Sequence, residues 1–306
     1  MKKYKNCLVT GGAGFIGSHL VERLLANGCR VTCLDDLSEG KWENLPKHPN
    51  LIKVRASILG KISNYISQNE VVFHLAAIPR LQRSLAQPLR SNIVNIDGTL
   101  KLLLLAKKYR IKKFIFASSS SVYGDQNSLP FKETMIPAPL VPYSLQKLVG
   151  EQYCQMFSRL WGLPTISLRY FSVYGPRMNP DGAYALLIPK FIKLISQDIA
   201  PTINGDGKQV RDFTYVSDVV DGTLLAAESD LSGEVFNIGA GKAVSVNDVA
   251  KIINRIMGKN IKPVHGPRVI ESKATLSSRA KAEKYLGWKP KVDLEKGLKM
   301  MLKMTG

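Results

Sequence analysis

Acidic residues are in short supply: 24 Asp and Glu stand against 43 Lys and Arg, a formal charge of +19. Such a balance suits anionic partners. The basic residues are nevertheless spread along the whole chain, with small knots at "AKKYRIKK" and near the C-terminus, and no aromatic-interleaved basic tract of the single-strand-binding kind occurs. A solvated basic surface is the first reading and attraction of a small anionic substrate the second; no nucleic-acid partner is expected. Cysteine is equally sparse. Cys7, Cys29, Cys33 and Cys154 lie in apolar runs with no CxxC or Cys/His spacing, which excludes a disulfide framework and leaves no metal site to expect. A reducing, cytoplasmic setting follows. Long apolar runs are missing too. The strongest, "LKLLLLA" near Leu103, falls far short of the roughly 20 residues a membrane span requires. The opening "MKKYKNCLVTGG" has only "CLVT" before glycines interrupt it, so it reads as a first strand and not as an export signal. Internal repeats and low-complexity tracts are also wanting.

With 306 residues, 45% of them hydrophobic and 22% charged, the chain can build a large core without staples. Short β-branched runs, "NCLVTGG", "CRVTCLD", "LIKVRAS", "VVFHLAA", "KKFIFASSSS" and "TISLRYF", alternate with helical patterns such as "FIGSHLVERLLANG" and "NIDGTLKLLLLAKKY". This alternation predicts βαβ units and hence an α/β fold with a Rossmann-type, doubly wound parallel sheet. After "VYGPR" the texture turns Pro- and Gly-rich around shorter elements. A smaller C-terminal substrate-binding lobe is therefore expected. The predicted division is 1–172 for the dinucleotide-binding part, with 213–240 returning to it, and 173–212 with 241–306 for the lobe.

The first strand runs into "TGGAGFIGSHL", where Gly11, Gly14 and Gly17 are spaced three apart. Small residues there let the turn close, let backbone N–H groups approach a pyrophosphate and let the helix pack on the strand with its N-terminus toward the anion. A second strand ends in Asp35, at the separation of about 20 residues expected for a carboxylate on the adenosine ribose. NAD is thus the expected cofactor, since Asp35 would repel the 2′-phosphate of NADP. In "PYSLQK", Tyr143 and Lys147 stand four apart just after a proline. In the first turns of a helix this spacing stacks phenol and ammonium on one face.

Together these motifs, with "HLAA", "NIDGT", "SSSSVYG", "RYFSVYGPR", "GDGKQVRDFTYVSDV" and "LGWKP" in the same order, make the chain resemble an extended short-chain dehydrogenase/reductase of the nucleotide-sugar epimerase group, typified by UDP-galactose 4-epimerase. The resemblance runs nearly end to end. It implies that Tyr143 is the catalytic acid/base, that Lys147 bonds the nicotinamide ribose and lowers the tyrosine pKa, and that Ser119 shares the bond to the reacting hydroxyl, with Ser118 and Ser120 as alternatives. A free phenol titrates near about 10, and a base working near neutrality needs roughly 3 units less. The implied reaction is hydride removal from C4 of a UDP-hexose by NAD, turnover of the 4-keto sugar about its diphosphate link, and return of the hydride to the other face. Around the cofactor the resemblance adds Phe15, Ile16, Ser57, Ile58, Leu75, Ala76, Ala77, Asn95, Ser118 and Tyr170. Around the substrate it adds Ser120, Ser172 at a position that meets the diphosphate or the sugar, Arg211 and Arg268 for the diphosphate, and Glu271 for the uridine ribose.

Departures from the group's pattern bear on the substrate. Ser172 stands where Asn is usual, Ile270-Glu271 where Gly-Asp is usual, and Ser57 where an Asp touches adenine. Dehydratases carry an Asp-Glu pair at Ser120 and Ser121, so water elimination is not expected. Thr275 occupies the place of a bulky Tyr in relatives restricted to glucose and galactose, which implies room for a 2-acetamido group. Arg80 and Arg83 in "IPRLQRS" offer a different reading, contact with a C6 carboxylate as in uronic-acid epimerases or decarboxylases. A non-catalytic NAD-binding protein on the same fold is the rival outside enzymes. Helices expected over 95–110 and 143–160 carry broad apolar faces and imply a homodimer.

Overall fold

A computed structural model describes residues 3–79, 81–180, 187–270 and 272–303. The first apolar run forms β1 (Asn6–Thr10), and the glycine loop turns the chain into α1 (Phe15–Ala26). Along α1, Leu20, Val21, Leu24 and Leu25 recur on one face and are buried, whereas Glu22 and Arg23 face water. Gly28, at φ +79°, ends the turn where an L side chain would be strained. There follow β2 (Arg30–Asp35), β3 (Leu51–Arg55), β4 (Val71–His74), α2 (Leu81–Ala86) and a π-helical turn (Ile93–Asp97) running directly into α3 (Gly98–Lys108). The chain continues through β5 (Lys113–Ser119), α4 (Pro142–Trp161), β6 (Thr165–Tyr170), α5 (Leu187–Ser196), α6 (Val216–Glu228), β7 (Glu234–Ile238), α7 (Val246–Met257) and α8 (Leu294–Lys303).

The seven strands form one parallel sheet in the order β7-β6-β5-β4-β1-β2-β3. This is the doubly wound topology the alternating pattern predicts. Strand order reverses between β1 and β4, which opens a crevice at their carboxyl ends. Both faces of the sheet are covered, and therefore β1, β2, β4, β5 and β6 are buried along almost their whole length with no alternation of buried and exposed positions. One face packs Val9, Phe73, Ile115 and Leu168 under α1 and α6; the other packs Leu8, Val72, Phe114 and Phe116 under α3 and α4. Each such fully buried side chain contributes about 1.5–3 kcal/mol. Helix α4 starts with Pro142 at its first position, where the missing N–H costs nothing, and ends at Gly162 in the left-handed conformation.

The strand β7 joins the sheet beside β6 although 63 residues separate Tyr170 from Glu234. A third apolar cluster, including Phe191, Ile195, Val249, Ile253 and Leu298, gathers α5, α7 and α8. Short strands flank it, Thr202–Asn204 against Val264–Gly266 and Val210–Asp212 against Ala243–Ser245. Among the described residues no helix is long and apolar enough to cross a membrane. All four cysteines are buried and unpaired.

Candidate active site

The carboxyl ends of the sheet open into a cavity of about 810 Å³. Its floor follows strand order. Asp35 ends β2, Gly11 follows β1, Leu75 follows β4, Ser119 ends β5 and Tyr170 ends β6. At β1 the chain turns back through Gly11, whose φ of +68° and whose distance from the next wall admit no side chain: a Cβ there would sit 2.7 Å from the Ala76 nitrogen. A Cβ on Gly17 would sit 2.1 Å from the Gly11 oxygen. The first turn of α1 has neither a side-chain cap nor an acidic residue. Its N–H groups at Phe15, Ile16 and Gly17, which all line the cavity, are the natural donors to an anion. Asp35 accepts from the Ala13 N–H at 3.0 Å and the Leu37 N–H at 2.8 Å. Burial pushes its carboxyl above the usual range, and these backbone donors oppose the shift. A close-packed glycine turn, an uncapped helix start and a buried carboxylate at the end of the adjacent strand fit a dinucleotide. Gly14, Ser57, Ile58, Ala76, Ala77 and Ser118 also line the space.

Tyr143 and Lys147 project from the first two turns of α4 on one face, as the spacing predicts, and both line the cavity with Ser119. The Lys147 ammonium lies 5.8 Å from the Tyr143 ring centroid and donates to the Ala117 carbonyl at 2.7 Å. Burial lowers its pKa to about 8, with Glu151 one turn further along α4 acting in the opposite direction. Glu151 is itself fixed. It takes two bonds from Arg169 on β6, at 2.9 and 2.7 Å, and one from Ser118 at 2.5 Å. Ser119 Oγ accepts the Ser121 N–H at 3.2 Å and caps a short 3-10 turn, so the strand end holds the hydroxyl in place. Ser84 on α2 accepts the Tyr143 N–H at 3.0 Å, serving an orphan donor at the start of α4.

At the other end, Ser120, Ser172, Arg211 and Thr275 line the same cavity. Thr275 is buried, and its Oγ1 accepts the Asp212 N–H at 3.5 Å. Ser172 has φ +25°, in a region that Asn tolerates better than Ser. The Tyr170 hydroxyl pairs with Thr223 at 2.8 Å, and burial pushes its pKa up.

Two expected contacts go elsewhere. Asn95 does not line the cavity: within the π-helical turn its amide clamps the Ile78 N–H and carbonyl and also bonds Gln146. Arg268 stands on the surface, its side chain 75% exposed and paired with Asp206. Arg80 and Glu271 lie outside the described residues. Arg83, read from the sequence as a possible carboxylate contact, forms an ion pair with Glu39.

Comparison with known proteins agrees with this geometry: the profile of the NAD dependent epimerase/dehydratase family matches residues 7–239. The chain belongs to that family. It is 36% identical over 301 residues to the UDP-glucose 4-epimerase of Mycolicibacterium smegmatis, covering 95% of each chain. A solved UDP-N-acetylglucosamine 4-epimerase from Methanobrevibacter ruminantium, in complex with UDP-N-acetylmuramic acid, superposes with a TM-score of 0.95 at 38% identity over 98% of both chains. The UDP-glucuronic acid 4-epimerase of Bacillus cereus, in complex with UDP-glucuronic acid and NAD, gives 0.92 at 36% identity over 97% of this chain and 98% of that one. The chain is accordingly an NAD-dependent enzyme of the epimerase/dehydratase family. Sequence reading overlooked Ser84, Glu151 and Arg169. For Glu151 a signal existed, since it continues the Tyr143–Lys147 face by one more turn.

Proposed function

We propose that the chain interconverts UDP-hexoses epimeric at C4, UDP-N-acetylglucosamine with UDP-N-acetylgalactosamine, UDP-glucose with UDP-galactose, or both, through a 4-keto sugar. One observation carries the reading: a single cavity joins the glycine loop and Asp35 to Ser119, Tyr143 and Lys147 and then to Arg211 and Thr275. Bound NAD would supply the hydride acceptor and donor for C4, held by the glycine loop, Asp35 and Lys147. Tyr143 takes the C4 hydroxyl proton and later returns it, while the Lys147 charge stabilises the phenolate and Ser119 orients the hydroxyl. The Arg211 guanidinium suits the diphosphate by its fork geometry, anchoring the nucleotide while the sugar turns over. Thr275, smaller than tyrosine, leaves room for a 2-acetamido group.

In this reading residues 1–172 with 213–240 serve the cofactor, and 173–212 with 241–306 serve the nucleotide sugar. A homodimer would cover apolar side chains left open on α3, α4 and the segment before α3. Leu104 on α3 and Leu145 and Leu160 on α4 are exposed, and Leu89, before the π-helical turn, is 73% exposed. Free buried thiols suit a reducing, cytoplasmic setting. The test is a proton NMR time course with UDP-N-acetylglucosamine, UDP-glucose and UDP-glucuronate in separate tubes, with absorbance following NADH. Conversion to the C4 epimer without net NADH in either of the first two supports the proposal. Conversion of the glucuronate alone replaces the substrate, and NAD binding without any conversion refutes the activity.

A further inference from the structure

Two walls flank the glycine loop. On the β4 side, Leu75 and Ala76 lie against Gly11, where a Cβ would meet the Ala76 backbone. On the β2 side, residues 36–41 fold back over Ala13, whose carbonyl accepts the Lys41 N–H at 3.0 Å and the Asn44 amide at 2.8 Å. Because β1 lies between β4 and β2, the walls rise from strands about 10 Å apart with the start of α1 between them. Arg83 on α2 and Glu39 on the opposite wall both line the cavity and form an ion pair. That pair joins the two sides of the cavity that the glycine loop also lines. Its neighbours tie it down: Gln82 donates to the Ile270 carbonyl at 3.3 Å, and Ser84 accepts the Tyr143 N–H. Three consecutive residues of α2 thus reach the β2 wall, the segment before residue 271 and the start of α4.

We infer that Arg83 and Glu39 form a latch that closes over the dinucleotide, holding it against the glycine loop and slowing its release. The inference rests on the NAD-dependent reading above. A dinucleotide lying along the glycine loop would pass beneath the bridge, and the ion pair must part before it can lift away. Arg83 is then a positioning residue, drawn by a carboxylate of the protein itself. With side chains 18% and 42% exposed, the pair is open enough for salt to weaken it.

The experiment loads the full-length protein with radiolabelled NAD, chases with unlabelled NAD and measures the release rate at 0.05 and 0.5 M NaCl in wild type, Arg83→Ala, Glu39→Ala and the charge-exchanged double variant Arg83→Glu/Glu39→Arg. Release should quicken about threefold to fivefold in each single variant, the range an ion pair this open to water yields. Salt should quicken wild-type release and leave the single variants nearly unchanged, and the exchanged pair should recover slow release. Single variants within twofold of wild type, or wild-type release indifferent to salt, would overturn the latch while leaving the NAD-dependent reading intact. Failure of the wild type to bind NAD at all would overturn both.

Discussion

Replacing Lys147 with methionine should make the protein less active and more stable at once. The side chain is buried, and its ammonium lies 5.8 Å from the Tyr143 ring centroid. At an effective dielectric of about 20, a unit charge at that range stabilises a phenolate by about 3 kcal/mol. Losing it should slow turnover about 100-fold near neutral pH and move the acid limb of the pH–rate profile upward. Stability follows the opposite sign. Burial lowers the Lys147 pKa from 10.5 to about 8, so at neutral pH the folded protein holds a proton that the unfolded chain binds more tightly. That difference costs about 3 kcal/mol below pH 8 and vanishes as pH rises to 10.5. Methionine fills a similar volume and removes this cost, while forfeiting the bond to the Ala117 carbonyl, worth about 1 kcal/mol. Calorimetry at pH 7 without added nucleotide should therefore show Tm a few degrees higher for Lys147→Met, and the NMR epimerisation assay a turnover far lower. A variant that retains more than a tenth of wild-type kcat, or that melts below wild type, would refute the reasoning.

His74 should govern acid stability. Its ring is wedged between Thr10 and Thr99, 2.9 Å from each hydroxyl, and burial drives its pKa from 6.5 down to about 3. The unfolded chain binds the extra proton between those values, so stability is full above pH 6.5 and falls by up to roughly 4 kcal/mol toward pH 3. His74→Gln should flatten that slope in urea melts taken at pH 4 and pH 7. Gly17→Ala would push a methyl to 2.1 Å from the Gly11 carbonyl; the start of α1 must shift, and titration calorimetry should find NAD bound at least tenfold more weakly. Thr275→Tyr should abolish turnover of UDP-N-acetylglucosamine and spare that of UDP-glucose, and unaltered turnover of the N-acetyl sugar would remove Thr275 from specificity.

What the sequence made legible was local or periodic. The glycine spacing, the carboxylate at the end of the next strand and the four-residue step from Tyr143 to Lys147 each express one repeat of one element, and all of them meet at one cavity. The bonds of Asn95 could not be read from the sequence, because it stands in a π-helical turn, whose ring is wider than the 3.6-residue repeat assumes, and its amide there meets Ile78. The pairing of Arg268 was equally hidden, since a motif position fixes the backbone whereas a long, exposed side chain can reach a nearby charge, here Asp206. The bonds that hold the catalytic helix escaped notice for a different reason. Ser84 is 59 residues from Tyr143 and Glu39 is 44 from Arg83, and nothing periodic links such pairs before the chain has folded.

The edge strand β7 also dictates how this enzyme can be made. Every residue of β6 is buried, and β7 covers its outer edge. On the ribosome, β6 emerges more than sixty residues before β7 does, a gap of at least several seconds at ordinary elongation rates. Throughout that interval the nascent sheet ends in a strand with unpaired backbone and with Ile166 and Leu168 uncovered, the kind of edge that recruits a neighbouring chain. Fragments stopping short of residue 238 should consequently precipitate even though they contain the whole glycine loop and the Tyr143–Lys147 pair, and a trigger-factor-like holdase would have its greatest value during synthesis of residues 171–238.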